Sequence, residues 1–96
     1  MYYRLYFGRN IPNTLFSVSI DQIRKFLREF QSLQGYTLIP TYGMWLREEE
    51  ESVILDLINA DRSLAIAVKE RYQNQFHQDY VMLVILDDPN EVFDDE

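Results

Sequence analysis

The order of hydrophobic and polar positions divides the chain into elements. Residues 2–8, YYRLYFG, are aromatic and alternating, which predicts a strand ending at Gly8. Residues 9–18, RNIPNTLFSV, carry Asn10, Pro12 and Asn13 and are expected to form a loop. From Ser19 the period becomes helical: Ile20, Ile23, Phe26, Leu27, Phe30 and Leu33 share one face. Ser19 and Gln22 have the spacing of a capping box, Val18 and Ile23 that of a hydrophobic staple, and Gly35 is expected to supply a left-handed stop.

Residues 36–46, YTLIPTYGMWL, are β-branched and aromatic, and Pro40, which cannot donate to a ladder, places them at a sheet edge. Residues 52–60, SVILDLINA, are apolar around Asp56 and predict a more buried strand. Four consecutive glutamates, Glu48 to Glu51, separate the two. Like charges repel and hydrate strongly, so the expectation is a solvated hairpin tip, with the lip of a binding site as the alternative. Residues 61–76 predict a second helix capped by Asp61, with Leu64, Ala65, Val68, Tyr72 and Phe76 on one face. Residues 79–88, DYVMLVILDD, predict a last strand, ended by Pro89.

The order β-α-β-β-α-β is that of a ferredoxin-like α+β fold: a four-stranded antiparallel sheet, spatial order 4-1-3-2, with two helices on one face. The expected organisation is one domain over residues 1–88 and an acidic C-terminal tail over 89–96. Alternation assigns Tyr2, Arg4, Tyr6 and Gly8 to the helix-free face, along with Ile54, Asp56 and Ile58, and Tyr80, Met82 and Val84. In one register, Ile39, Thr41, Gly43 and Trp45 join them. A patch of that kind exceeds what a monomer ordinarily exposes, so a homodimer, sheet on sheet, is expected. Arg4 and Asp56 fall on adjacent central strands and are placed to pair.

Composition narrows the chemistry. The 96 residues include no cysteine, which removes disulfides and thiol chemistry and fits a reducing, cytoplasmic compartment. No signal-peptide or membrane-spanning run is read, so no membrane association is expected. The net charge is -7, yet residues 87–96 hold six acidic and no basic residues, while the other 86 carry ten acidic against nine basic. Without clustered Lys and Arg, direct nucleic-acid binding is not expected. An acidic tail leaves open an inhibitor or nucleic-acid mimic.

Several short motifs carry a resemblance. YFG at residues 6–8, YGMW at 42–45, the run Glu51-Ser52-Val53-Ile54-Leu55, and Tyr72, Phe76, Gln78 and Val81 in RYQNQFHQDYV together resemble an uncharacterised family of small bacterial proteins, a domain of unknown function with a ferredoxin-like fold. The resemblance spans about residues 3–86. It implies the same fold, supplies no catalytic assignment, and points to Tyr6, Gly8, Gly43, Trp45 and Gln78 as positions that match its pattern. Many members look exported, whereas no export signal is read here.

Candidate chemistry is sparse. A loop end could gather Tyr42, Trp45, His77, Gln78 and the glutamates. His77 is the one side chain whose ordinary pKa lies near neutrality, and it serves either as a general base or, at a helix C-terminus, as a cap. A weak calcium site at Glu48 to Glu51 is conceivable, but no metal or other cofactor is expected. No nucleophile elbow, phosphate-cradling loop or dinucleotide fingerprint is present. The candidate binding residues are therefore Arg4, Tyr6, Tyr42, Trp45, Asp56, His77, Tyr80 and Met82. The favoured expectation is a non-catalytic dimeric binding or protein-interaction module. A small dimeric α+β barrel-type enzyme acting on a hydrophobic molecule, with Tyr6, Arg4 or His77 polarising it, and the acidic mimic are the alternatives.

Overall fold

The computed structural model of the chain describes residues 2–45 and 47–86, and for Trp45 and Glu48 the backbone alone. The acidic tail expected at 89–96 lies outside the described residues. The elements run β1 (Tyr2–Gly8), α1 (Ile20–Arg28), β2 (Gly35–Trp45), β3 (Glu48–Ile58), α2 (Arg62–Gln75) and β4 (Met82–Leu86). They form one antiparallel sheet in the order β2-β3-β1-β4, the ferredoxin-like α+β arrangement. Over residues 3–6 β1 lies between two partners: Tyr3 is opposite Leu57 on one side and Ile85 on the other.

Alternation decides which side of the sheet is core. Tyr3, Leu5 and Phe7 of β1 and Val53, Leu55 and Leu57 of β3 are buried against Ile23, Phe26 and Leu27 of α1 and Ala65, Val68 and Tyr72 of α2. Each such side chain contributes about 1.5–3 kcal/mol on burial. The centre is aromatic: Phe7 and Tyr72 stack at 3.8 Å with ring planes 2° apart, and Phe26 meets Tyr72 edge-on at 5.6 Å. The Tyr72 hydroxyl, deep in this cluster, donates to the Gly8 carbonyl at 2.8 Å, which satisfies the one polar atom the ring carries inward. Burial pushes the Tyr72 phenol well above the ordinary tyrosine range, an effect that nearby Arg9 opposes and Glu50 reinforces.

The cap of α1 is the one expected: Gln22 N donates to Ser19 Oγ at 3.1 Å, and Ser19 N to Gln22 Oε1 at 2.9 Å. Its end is not. The helix stops at Arg28, with Glu29 N and Phe30 N closing short bonds to Phe26 O and Leu27 O, and Gly35 opens β2 instead of stopping α1. Phe30 and Leu33, which extend the helical period in sequence, reach the core from the turn that leads back to the sheet edge.

The glutamates also depart from expectation. Glu48 to Glu51 lie within β3, paired with Trp45, Met44, Gly43 and Tyr42, and only residues 46 and 47 connect the strands, with Arg47 at φ 65°. β1 reaches β3 only as far as Ser52, so this part of the hairpin is a two-stranded ribbon beyond the sheet body. With no helix or further strand among the described residues packed on its faces, a ribbon can carry charges at successive positions without desolvating them.

β4 starts later than expected, and the expected end at residues 87–88 and Pro89 lies outside the described residues. It begins at Met82, so Tyr80 belongs to the preceding turn, and Ile85, on the helix side of the strand, remains 55% exposed. Residues 9–18 form a small hairpin rather than an irregular loop. Asn10 bridges Ser17, Ile11 N donates to Phe16 O, and the Thr14 hydroxyl donates to Ile11 O at 2.8 Å while accepting from Phe16 N at 3.1 Å. Its tip holds Leu15 and Phe16 in solvent.

Candidate functional site

The helix-free face carries the residues of β1 and β3 that alternation assigned to it, with Met82 and Val84 of β4. Arg4 lies directly opposite Asp56, and the two form a bidentate pair, Nε to Oδ1 at 2.7 Å and Nη2 to Oδ2 at 2.9 Å. The side chains are 30% and 20% exposed, so the pair is partly screened from water. Asp56 raises the pKa of Arg4 further, and Tyr6 adds to this, which leaves the guanidinium permanently charged. Around the pair, Tyr2, Tyr6, Ile54, Ile58 and Val84 are half-buried by their neighbours, while Ile39 and Met82 are about two-fifths exposed, at 40% and 41%. The register of β2 places Ile39 opposite Ile54, Thr41 opposite Ser52 and Gly43 opposite Glu50 on this face. The patch is therefore apolar, with one ion pair near its centre.

At the end of this face where β1 terminates, the sheet is overhung on two sides and forms a groove of about 760 Å³. Its floor is Tyr6 and Gly8 of β1, Ser52 of β3 and Met82 of β4. The 10–17 hairpin supplies one wall through Asn10, Pro12 and Asn13, and the turn after α2 supplies another through Gln78, Asp79 and Tyr80. The β2–β3 ribbon adds Gly43, Met44 and Glu50.

The wall after α2 is fixed by how the helix ends. His77 takes φ 54°, the left-handed position that usually falls to glycine, and Gln78 N donates back to Gln73 O at 2.9 Å, completing a Schellman-type close. Gln78 Nε2 then donates to Asn10 O at 2.9 Å and Phe76 O at 3.2 Å, tying the helix end to the opposite wall. Both donor hydrogens are used, and Gln78 Oε1 is left beside Gly8. A Cβ at Gly8 would meet it at 3.1 Å and would collide with Glu50 Oε1. Gly8 has no positive φ, so it is glycine here for space: the two oxygens converge over its backbone.

Of the candidate residues read from the sequence, Tyr6, Tyr80 and Met82 meet in the groove, and Arg4 and Asp56 form the ion pair farther along the same face. Tyr42 stands apart on the ribbon, donating to Glu49 Oε2 at 2.6 Å, a bond to a carboxylate that raises the pKa of its phenol. His77 is exposed at the helix end and does not line the groove, because its backbone conformation serves the turn. Trp45 is opposite Glu48 in the ribbon register, and its side chain lies outside what is described. Of the expected gathering of Tyr42, Trp45, His77, Gln78 and the glutamates, Gln78 and Glu50 meet in the groove, Tyr42 and His77 do not, and the Trp45 side chain lies outside what is described.

Of the four glutamates considered for calcium, Glu49, Glu50 and Glu51 part company, and the side chain of Glu48 lies outside what is described. Strand geometry sends Glu49 to Tyr42, Glu51 to Arg9 at 3.1 Å and Glu50 to the groove, and no group of three metal-ligating side chains occurs among the described residues. Sequence reasoning missed Asn10, Ser52 and Asp79. Their only signal was proximity to Gly8 and Gln78, and that became visible only when the loop at 9–18 folded back as a wall.

No helix among the described residues is long and apolar enough to cross a membrane. No curated protein sequence matches the chain. Its fold is similar to that of a solved phage SAM lyase in the apo state, with a TM-score of 0.70 and 16% identity over 85% of this chain and 75% of that one. At that identity the likeness concerns the fold. Over residues 2–92 the sequence matches the family described as "Protein of unknown function (DUF3574)", and the chain belongs to that family.

Proposed function

We propose that this domain is a non-catalytic binding module that works as a homodimer, with the helix-free face of the sheet as its interface. The observation that carries this is the composition of that face: Tyr2, Tyr6, Ile39, Ile54, Ile58, Met82 and Val84 surround a single bidentate Arg4–Asp56 pair, with both helices on the opposite side. A second copy packed sheet on sheet removes the apolar area from water, and the desolvated ion pair then sets register. The groove remains at the margin of such an interface, available to a ligand.

Sedimentation equilibrium tests the proposal on the wild type and on Ile58→Glu, which puts a charge on the central strand β3 without touching the helix-packed core. The wild type is expected to be a dimer and the variant a folded monomer by circular dichroism. A monomeric wild type, or a variant that dimerises equally well, overturns the proposal.

A second reading is a small enzyme of the dimeric α+β type that holds a hydrophobic molecule in the groove. The groove's size, within the range of small-molecule sites, favours it, and the phage SAM lyase of similar fold is a precedent for an enzyme on such a scaffold. His77 is not in the groove, so a base there would be Glu50, Asp79 or a phenol.

A further inference from the structure

We infer that the groove binds a small organic ammonium, its nitrogen donating to Glu50 and to Gln78 Oε1 from the groove side and its apolar or aromatic body on Tyr6, Tyr80 and Met82. The charged groups lining the groove are Glu50 and Asp79, and no Lys, Arg or His lines it among the described residues. Neither carboxylate has an ionic or hydrogen-bonding partner among those residues. Lys69, which stands over the Tyr80 ring at 5.8 Å, gives its ammonium to Gln73 Oε1 at 2.7 Å and is not part of the lining.

The acceptors are also arranged for a donor. Glu50 Oε1 and Gln78 Oε1 both press on Gly8, leaving no room there even for a Cβ, so a donor meets them from the groove side, and Gln78 cannot turn its NH2 inward without giving up the bonds to Asn10 O and Phe76 O that hold the wall. Two neighbouring oxygens on one groove wall, neither paired with a donor there, are matched by an ammonium, which has three donors and a positive charge. Beside that point, Tyr6, Tyr80 and Met82 offer rings and a thioether to a flat apolar body. A volume of about 760 Å³ suits a small molecule rather than a single inserted side chain.

The inference does not rest on the homodimer, and running the test on Ile58→Glu as well as the wild type keeps the two questions apart. The probe is phenethylammonium, titrated while backbone amide resonances are followed by NMR. The controls are 3-phenylpropionate, an anion of similar size, and Nα-acetyl-lysine N-methylamide, a cation without an aromatic body. Saturable shifts at Gly8, Gly43 and Gln78 are expected with phenethylammonium, and binding about tenfold weaker or more with each control. Glu50→Gln should weaken the probe by about tenfold. A Cβ at Gly43 meets nothing within 4 Å, so Gly43→Leu should fill the groove and abolish binding without lowering the melting temperature.

Absence of saturable shifts into the millimolar range overturns the inference, as does equal binding of either control. So does unchanged affinity in Glu50→Gln. This carboxylate lies on the ribbon, outside the core, so its loss does not endanger folding.

Discussion

At the scale of single residues, glycines and left-handed turns occupy different positions. The left-handed positions fall on Asn13, Arg47, Asn59 and His77, whereas Gly8, Gly35 and Gly43 all lie in strands with no positive φ. The sequence marks Gly35 as a left-handed stop because glycine tolerates that backbone region, and Gly8 as the end of a strand, where β1 does end. Gly8 is also required where Glu50 and Gln78 approach the strand, a demand set by residues 42 and 70 positions away in the chain. Tyr72 presents a related case, for its ring belongs to the helical period in sequence but its hydroxyl reaches β1. Because the folded Tyr72 holds its proton to higher pH than the unfolded one, its contribution is intact below about pH 10, the ordinary tyrosine value, and is lost as pH rises beyond it. Tyr72→Phe is therefore expected to cost about 1 kcal/mol at neutral pH, through loss of the bond to Gly8 O, and to flatten the fall in stability above about pH 10. Urea melts at neutral and alkaline pH measure both effects. An equally steep alkaline fall in the variant would show that other groups govern it.

At the scale of elements, the two helices begin where local chemistry dictates and end where tertiary contacts dictate. Ser19 and Asp61 cap as their spacing predicts, because a cap needs only a side chain and a backbone N–H three residues on. The ends differ. α1 gives up its last predicted turn so that the chain can return to the sheet edge, and α2 closes through His77 in a conformation that costs any residue bearing a Cβ. His77→Gly should accordingly raise stability by about 0.5–1 kcal/mol, measured by denaturant unfolding. A loss of stability would mean that the imidazole contributes more than its backbone strain removes. The ribbon makes the same point for strands. Four glutamates read as a turn under any local rule, yet they pair as strand where no helix or third strand among the described residues covers the ribbon.

At the scale of the whole molecule, the sheet has one face committed to the core and one whose Arg4–Asp56 pair sits among half-buried apolar side chains. A pair in that setting matters chiefly through the cost of breaking it. Arg4→Leu alone leaves the Asp56 carboxylate partly desolvated without a cation and is expected to destabilise by about 1–3 kcal/mol, whereas Arg4→Leu with Asp56→Leu should recover most of the loss. A double-mutant cycle on unfolding free energies checks this, and additive single effects would show that the two side chains are not coupled.

The sequence by itself determined the element order, the inward and outward sets of β1 and β3, the edge position of β2, the Arg4–Asp56 pairing and both N-terminal caps. Each follows from spacing of two, three or four residues, which pleat and helix geometry translate directly into neighbours. Only the tertiary structure decided where α1 stopped, that the glutamates were strand, and that Asn10, Ser52, Gln78 and Asp79 enclosed a groove with Tyr6. Those outcomes depend on segments distant in sequence meeting over Gly8, and such a meeting leaves no periodic trace in the chain.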